Sequence, residues 1–266
     1  MPHVAALYRY PVKGFTPEPL DELVVQRDGR IAGDRVLAFR FADAATPESL
    51  DGLDYWPKSK GLSLQDFPAL AALRLSYDED SRRVRILHGD VELVEAGLDP
   101  AGRHDLVETI TAYVQDSPWA PRLARPGRLP LELVGDGTSS RFQDRPRGYV
   151  TIHGRSSVTE LNERLGAPID DRRFRSNIVV EGFAPRAELG WTGAVRIGGV
   201  EFIGEGPIVR CLATHANPDT GERDARVLTA LTRDLGLSEP TLGRLLLLSG
   251  VGGTIRVGDE VVVDES

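Results

Sequence analysis

The sequence predicts a mainly β, α+β fold, in which short apolar runs are joined by turns and a few helices lie at the periphery. Three observations carry that prediction. The 266 residues include 28 glycines and 18 prolines, enough to cut the chain into short segments. Between the cuts, runs rich in β-branched and aromatic residues recur. Two such runs also meet across Gly198-Gly199, a strong two-residue hairpin signal.

In chain order, residues 4–10, 23–26, 36–41, 70–77 and 84–88 read as strands separated by Gly, Pro and Asp clusters. Residues 105–114 place Leu106, Ile110, Tyr113 and Val114 at helical spacing, so an amphipathic helix closes this part. Pro118, Pro121, Pro126 and Pro130 then interrupt regular structure, which puts a domain boundary near residue 125, dividing 1–124 from 125–266.

Beyond the boundary, strands are expected at 131–134 and 148–152. Ser157-Val-Thr-Glu160 fits a capping box and predicts a helix carrying Leu161 and Leu165. Strands follow at 178–180, 195–197, 200–203 and 208–213. Val227, Leu228, Leu231 and Leu235 predict a helix ended by Gly236, and 245–248 and 255–263 return to strand. Closing so strand-rich a pattern into barrels would remove its sheet edges.

Composition limits the function classes. With 41% hydrophobic residues the chain can build a sizeable core, and one cysteine excludes an intramolecular disulfide. A formal charge of −8 argues against general nucleic-acid binding, which requires a positive surface. No apolar stretch reaches signal-peptide or membrane-span length, so no membrane association and a soluble, cytoplasmic protein are expected. Dinucleotide, phosphate-loop, nucleophile-elbow and zinc-protease motifs are lacking, and the five histidines are scattered.

Two features remain. Cys211, the single thiol, lies where an apolar run meets the turn Asn217-Pro-Asp-Thr-Gly221, and reads either as packing or as a reactive centre. Arg141, Arg145, Arg147, Arg155, Arg164, Arg172, Arg173 and Arg175 form a local positive excess, either a solvated face or the wall of an anion site.

Phe174-Arg-Ser-Asn-Ile-Val-Val, followed downstream by Cys211 and the Asn217 turn, resembles the core signature of the MOSC family. Leu7-Tyr-Arg-Tyr-Pro-Val-Lys-Gly14 and Gly33-Asp-Arg-Val-Leu37 resemble its N-terminal companion domain, and Gly253-Thr-Ile-Arg-Val-Gly-Asp259 is similar to the closing strand. The resemblance implies two β-barrel-like parts, 1–124 as the N-terminal domain and 125–266 as the MOSC domain. It also implies a molybdenum cofactor, Mo-molybdopterin, between them, with Cys211 as metal ligand and catalytic centre. Lys13, Arg35, Arg175 and Asn177 match cofactor-holding positions. Ser156 and Ser157 are further candidates, at a helix start where capping alone also explains them. The chain departs from the family pattern at Gly14, Leu64 and Val209. Family descriptions add pyridoxal phosphate binding.

Within the family, the resemblance points to reductases of small N-hydroxylated compounds that draw electrons from an external electron-transfer protein. One cysteine cannot ligate an iron-sulfur cluster, so the donor must come from outside. Two other readings use the same residues: a carrier of the cofactor or of sulfur as a Cys211 persulfide, and a cofactor-free scaffold.

Overall fold

A computed structural model describes residues 1–50, 53–145 and 147–264, the side chains of 49, 50 and 53–55 apart. The fold is mainly β. Its largest sheet has eight strands, running from Val261–Val263 through Ala194–Ile197, Val200–Val209, Thr241–Leu248, Val150–Gly154, Ile178–Glu181 and His3–Arg9 to Glu18–Leu20. Ile197 pairs with Val200 across Gly198-Gly199, as the hairpin signal predicts. Val4, Leu7, Ile152, Ile178, Val195 and Phe202 are among the side chains packed on this sheet.

A second core fills the space between a three-stranded sheet, Leu73–Asp78, Arg83–His88 and Val91–Gly97, and another made of Leu131–Val134, Leu37–Phe41 and Val12–Lys13. Leu73, Leu75 and Tyr77 are buried while Arg74, Ser76 and Asp78 alternate outward, the period of a half-buried strand. The helix Pro100–Gln115 closes this core with Leu106, Ile110 and Val114. It starts where it does because Asp99 accepts hydrogen bonds from Ala101 N and Gly102 N at 3.0 and 3.1 Å, and Pro100 occupies the first helical position.

The sheets depart from the expected barrels: among the described residues none closes. The large sheet comes nearest, where a bridge joins His3 to Glu260 and Val4 N donates to Asp259 O at 2.9 Å. Strand His3–Arg9 pairs with Ile178–Glu181 along one edge and gives only Leu7–Arg9 of the other to Glu18–Leu20, and the rest of that edge meets Glu260 through a single bridge rather than a ladder.

Local differences have local causes. The run 70–77 opens as a 3₁₀ turn at Pro68–Ala72, where Pro68 cannot donate to a ladder. The run 255–263 divides into Gly253–Arg256 and Val261–Val263 around Gly258, at φ 90. The strand expected to reach Ala213 ends at Val209, after register shifts at Gly204/Gly206 and Pro207/Val209, and a 3₁₀ turn over Leu212–His215 follows. That ending positions the site, because bulges re-aim the side chains beside them.

Candidate functional site

A cavity of about 360 Å³ opens between the two cores, and Lys13, Arg35, Arg175 and Cys211 all line it. Three sequence-distant segments therefore converge on one thiol. Lys58, Arg145, Arg173 and Arg210 join them, and among the described lining residues Asp144 is the one carboxylate. This wall concentrates positive charge in a chain whose formal charge is −8. Of the arginines from 141 to 175, Arg145, Arg173 and Arg175 face the cavity, whereas Arg155 and Arg172 pair with Glu181, Asp170 and Asp171 or Asp219 outside it.

Lys13 ends the short strand Val12–Lys13, and its ammonium donates to Phe142 O, Gln143 O and Asp144 Oδ1 at 2.8, 3.2 and 2.7 Å. Burial lowers its pKa, opposed by Asp144. Desolvation raises the Asp144 pKa, but Lys13 overrides it and holds the carboxyl well below the usual range. Gly14 departs from the family's serine for a steric reason. Its φ is 85, and an added Cβ would meet Leu62 O at 2.7 Å.

Arg35 and Arg175 share an uncommon backbone state, with φ of 52 and 53 in the left-handed region. For a residue with a Cβ that conformation costs about 1 kcal/mol, and Arg82 and Arg186 adopt it as well, away from the cavity. Both guanidinium groups lie over the Tyr10 ring, at 4.9 and 4.5 Å from its centre. Arg35 also donates to Asp34, and Arg175 to Phe15 O. Burial lowers the Arg175 pKa. For Arg35 burial acts in the same direction, but Asp34 and its neighbours bring the net shift upward.

Asn177 is placed behind the wall rather than in it. Its Oδ1 accepts from Thr151 N and Oγ1, at 3.3 and 2.8 Å, and its Nδ2 donates to Tyr8 O and Asp34 Oδ1, at 3.2 and 3.3 Å. The amide thus fixes Asp34, which in turn holds Arg35. Ser156 and Ser157 also lie off the lining. The capping box is not formed: the helix Arg155–Leu165 begins after Gly154 with no side-chain cap. Ser157 Oγ donates instead to buried Glu188 at 2.9 Å and accepts from Arg186 N at 2.8 Å, while Glu160 pairs with Arg186.

Cys211 is half-buried and follows the strand end; its carbonyl accepts from Thr214 N and Oγ1, at 3.1 and 3.0 Å. Strict alternation would put Arg210 on the opposite face from Cys211. The strand ends at Val209, the alternation lapses, and both side chains line the cavity. Arg210 donates to Leu242 O and Phe174 O, at 2.7 and 2.6 Å, and burial lowers its pKa to about 10, opposed first by Cys211. It remains charged at neutral pH and lines the same cavity as the thiol.

His215 and Asp219, near Cys211 in sequence, do not line the cavity. Leu228 N donates to His215 Nε2 at 3.2 Å, so that nitrogen carries no proton, and Asp219 pairs with Arg172. Lys58, Gln65, Asp144 and Thr151 are lining residues that sequence reasoning missed, and Arg210 is one it placed on the opposite face. The only available signal was their nearness to motifs: Asp144 lies within the arginine-rich segment and Arg210 precedes the cysteine.

An anionic group fits this wall. Lys13, Arg35, Lys58, Arg145, Arg173, Arg175 and Arg210 line it against a single described carboxylate, and guanidinium groups bind phosphate through paired hydrogen bonds. No three His, Cys, Asp or Glu side chains among the described residues are grouped to hold a metal, so a metal bound through Cys211 takes its remaining ligands from a cofactor. Pyridoxal phosphate chemistry fits less well, because Lys13, the buried lysine here, has all three donors engaged.

Fold and site together define a β-rich protein that presents one thiol to a cationic, anion-accepting cavity. Residues 140–262 match the family model described as MOSC domain. It is similar to mitochondrial amidoxime-reducing component 1 of Mus musculus, 34% identical over 116 residues, which cover 40% of this chain and 34% of that protein. The Homo sapiens protein of the same name is 32% identical over 190 residues, covering 62% of this chain and 53% of that one. Molybdenum cofactor sulfurase of Drosophila erecta is 40% identical over 109 residues, covering 39% of this chain and 14% of that protein. The chain thus spans about half or less of the length of these relatives. Among the described residues no helix is long and apolar enough to cross a membrane.

Proposed function

We propose that this protein binds a molybdenum cofactor in the cavity, with the Cys211 thiolate on the metal, and reduces small N-hydroxylated compounds. The convergence of Cys211 with Lys13, Arg35, Arg175 and Arg210 on one cavity carries this reading. The names of the amidoxime-reducing relatives support the substrate class.

When bound, the cofactor supplies two-electron redox chemistry that no side chain here provides. The chain's own residues bind and orient it. Arg35 and Arg175 present guanidinium groups to phosphate from a backbone already set in place, with Tyr10 limiting their motion. Asn177 and Asp34 maintain Arg35 from behind. Arg210 adds a further positive charge to the wall that Cys211 shares. The net reaction breaks the substrate's N–O bond, uses two electrons and two protons, and releases the oxygen as water. The electrons come from an external electron-transfer protein. Among the described lining residues no His or Glu stands ready to donate a proton, and water at the cavity mouth can supply it.

Resemblance to the sulfurase favours a second reading, carriage of the cofactor or of sulfur on Cys211 without turnover. Reduction of benzamidoxime with an artificial electron donor separates the two. Turnover supports the reductase; cofactor-loaded protein that transfers sulfur without reducing the substrate supports the carrier.

A further inference from the structure

The segment between the two cores carries a feature that cofactor binding does not use. Arg122 and Arg223 stand against Trp119, and Arg125 and Arg128 follow Arg122 on the same segment. The Arg122 and Arg223 guanidinium carbons lie 5.4 and 4.8 Å from the Trp119 ring centre. Arg128 donates to Arg122 O at 2.9 Å and covers the Phe41 ring. Asp66 pairs with Arg122, and Asp43 is the other acid near Arg128. Exposed Arg125 makes no ion pair with a described residue. Four guanidinium groups thus face two carboxylates, on a chain whose acids outnumber its Lys and Arg by 40 to 32.

Like charges repel, and these show it. Burial lowers the Arg128 pKa, and Arg125 and Arg122 add to the effect; Arg223 is lowered by burial and then by Arg122. Such crowding raises the free energy of the isolated chain unless an anionic partner relieves it. The patch also adjoins the cavity: Arg223 donates to the carbonyl of Gln65, a lining residue, at 2.5 Å. Exposed Pro121, Pro126 and Leu129 on the same segment add apolar surface beside partly buried Trp119, and Trp and Arg are among the residue types enriched in interface hot spots.

We propose that the arginine-framed Trp119 surface is the docking face for a small acidic electron-transfer protein. This rests on the reductase reading, under which electrons must arrive from outside and near the cavity. A surface of this kind gives a weak, fast, salt-sensitive encounter, the behaviour a shuttling carrier needs.

The test titrates the cofactor-loaded protein with an oxidised [2Fe–2S] ferredoxin and, separately, a flavodoxin, reading Trp fluorescence and calorimetry at low and high salt. Saturable binding to either is expected at low salt. Arg125→Glu should weaken it about threefold or more, and Arg122→Glu with Arg125→Glu at least about tenfold, with a flatter salt dependence. Arg83→Glu with Arg85→Glu, on another sheet, should leave it unchanged. The double variant should keep wild-type turnover of benzamidoxime with a chemical donor while losing turnover driven by the carrier protein. No saturable binding of either carrier, or equal binding by both folded Arg125 variants, overturns the proposal. Failure of the wild type to reduce benzamidoxime with the chemical donor overturns the reductase reading instead, and the titration reads docking independently.

Discussion

Arg175→Gly and Arg175→Ala separate the backbone role of this residue from its charge. Arg175 caps the 3₁₀ turn Asp171–Phe174 at φ 53 and ψ 32. Both variants lose the hydrogen bond to Phe15 O and the cation over Tyr10. They differ in the left-handed backbone, which costs a residue with a Cβ about 1 kcal/mol and glycine almost nothing. In an ordinary helix or strand glycine is the less stable of the two by roughly 0.5–1 kcal/mol. Here the order should reverse. For a chain of this length, about 1 kcal/mol corresponds to roughly 2–4 °C in Tm, so the glycine variant should unfold that much above the alanine variant when both are cofactor-free. Each should also lose charged hydrogen bonds to the cofactor, worth about 1.5–3 kcal/mol, or about a tenfold to a hundredfold weaker hold. Thermal unfolding and the molybdenum and pterin retained after gel filtration measure the two effects. An alanine variant at least as stable as the glycine variant refutes the strain argument. Wild-type retention of cofactor in both refutes the anchoring role.

Other expectations follow from residues behind the wall. Asn177→Ala removes the side-chain amide that Thr151, Tyr8 O and Asp34 share, although Asp34 keeps Tyr10 N and Arg35, and should lower stability by about 1–3 kcal/mol in urea unfolding, while cofactor content per folded molecule falls less than in the Arg175 variants. Ser157→Ala exposes Glu188 and Arg186 N to the same penalty, again about 1–3 kcal/mol, with cofactor content unchanged; a selective loss of cofactor would place Ser157 in the site. Burial, with Arg210 and Arg155, pushes the His153 pKa down to about 3, whereas the unfolded value is near 6.5. The unfolded state then binds the extra proton between those values, so stability falls as pH drops through that window. The contribution is about 1.4 kcal/mol per pH unit. His153→Gln should flatten the pH dependence between about pH 6 and pH 5, and an unaltered slope in urea unfolding would show that His153 does not titrate as described.

Much of the site was legible because its residues sit in short motifs. Lys13, Arg35, Arg175 and Cys211, from four separate stretches of sequence, meet at one cavity. Local signals succeeded where the backbone decides alone: Gly198-Gly199 makes its hairpin, and Asn217 Oδ1 accepts from Asp219 N at 2.8 Å to form the turn after the cysteine. They failed where tertiary partners compete. Ser157 has the spacing of a cap, but buried Glu188 offers its hydroxyl a charged acceptor, and Glu160 turns outward to Arg186. Asn177 reads as a cofactor contact, yet four hydrogen bonds from three neighbouring segments hold its amide behind the wall. Lys58 and Asp144 carry no motif at all, and only the packing of two cores brings them beside the thiol. Sheet closure depends on which edges remain free, and no pattern along one strand records that.

The most direct test is the molybdenum content, by mass spectrometry, of protein made in a cofactor-competent host, with folded Cys211→Ala prepared in parallel. Near-stoichiometric molybdenum in the wild type and its loss from the variant is the result this account predicts. Equal occupancy of the two, or no molybdenum in either despite verified cofactor supply, would contradict it.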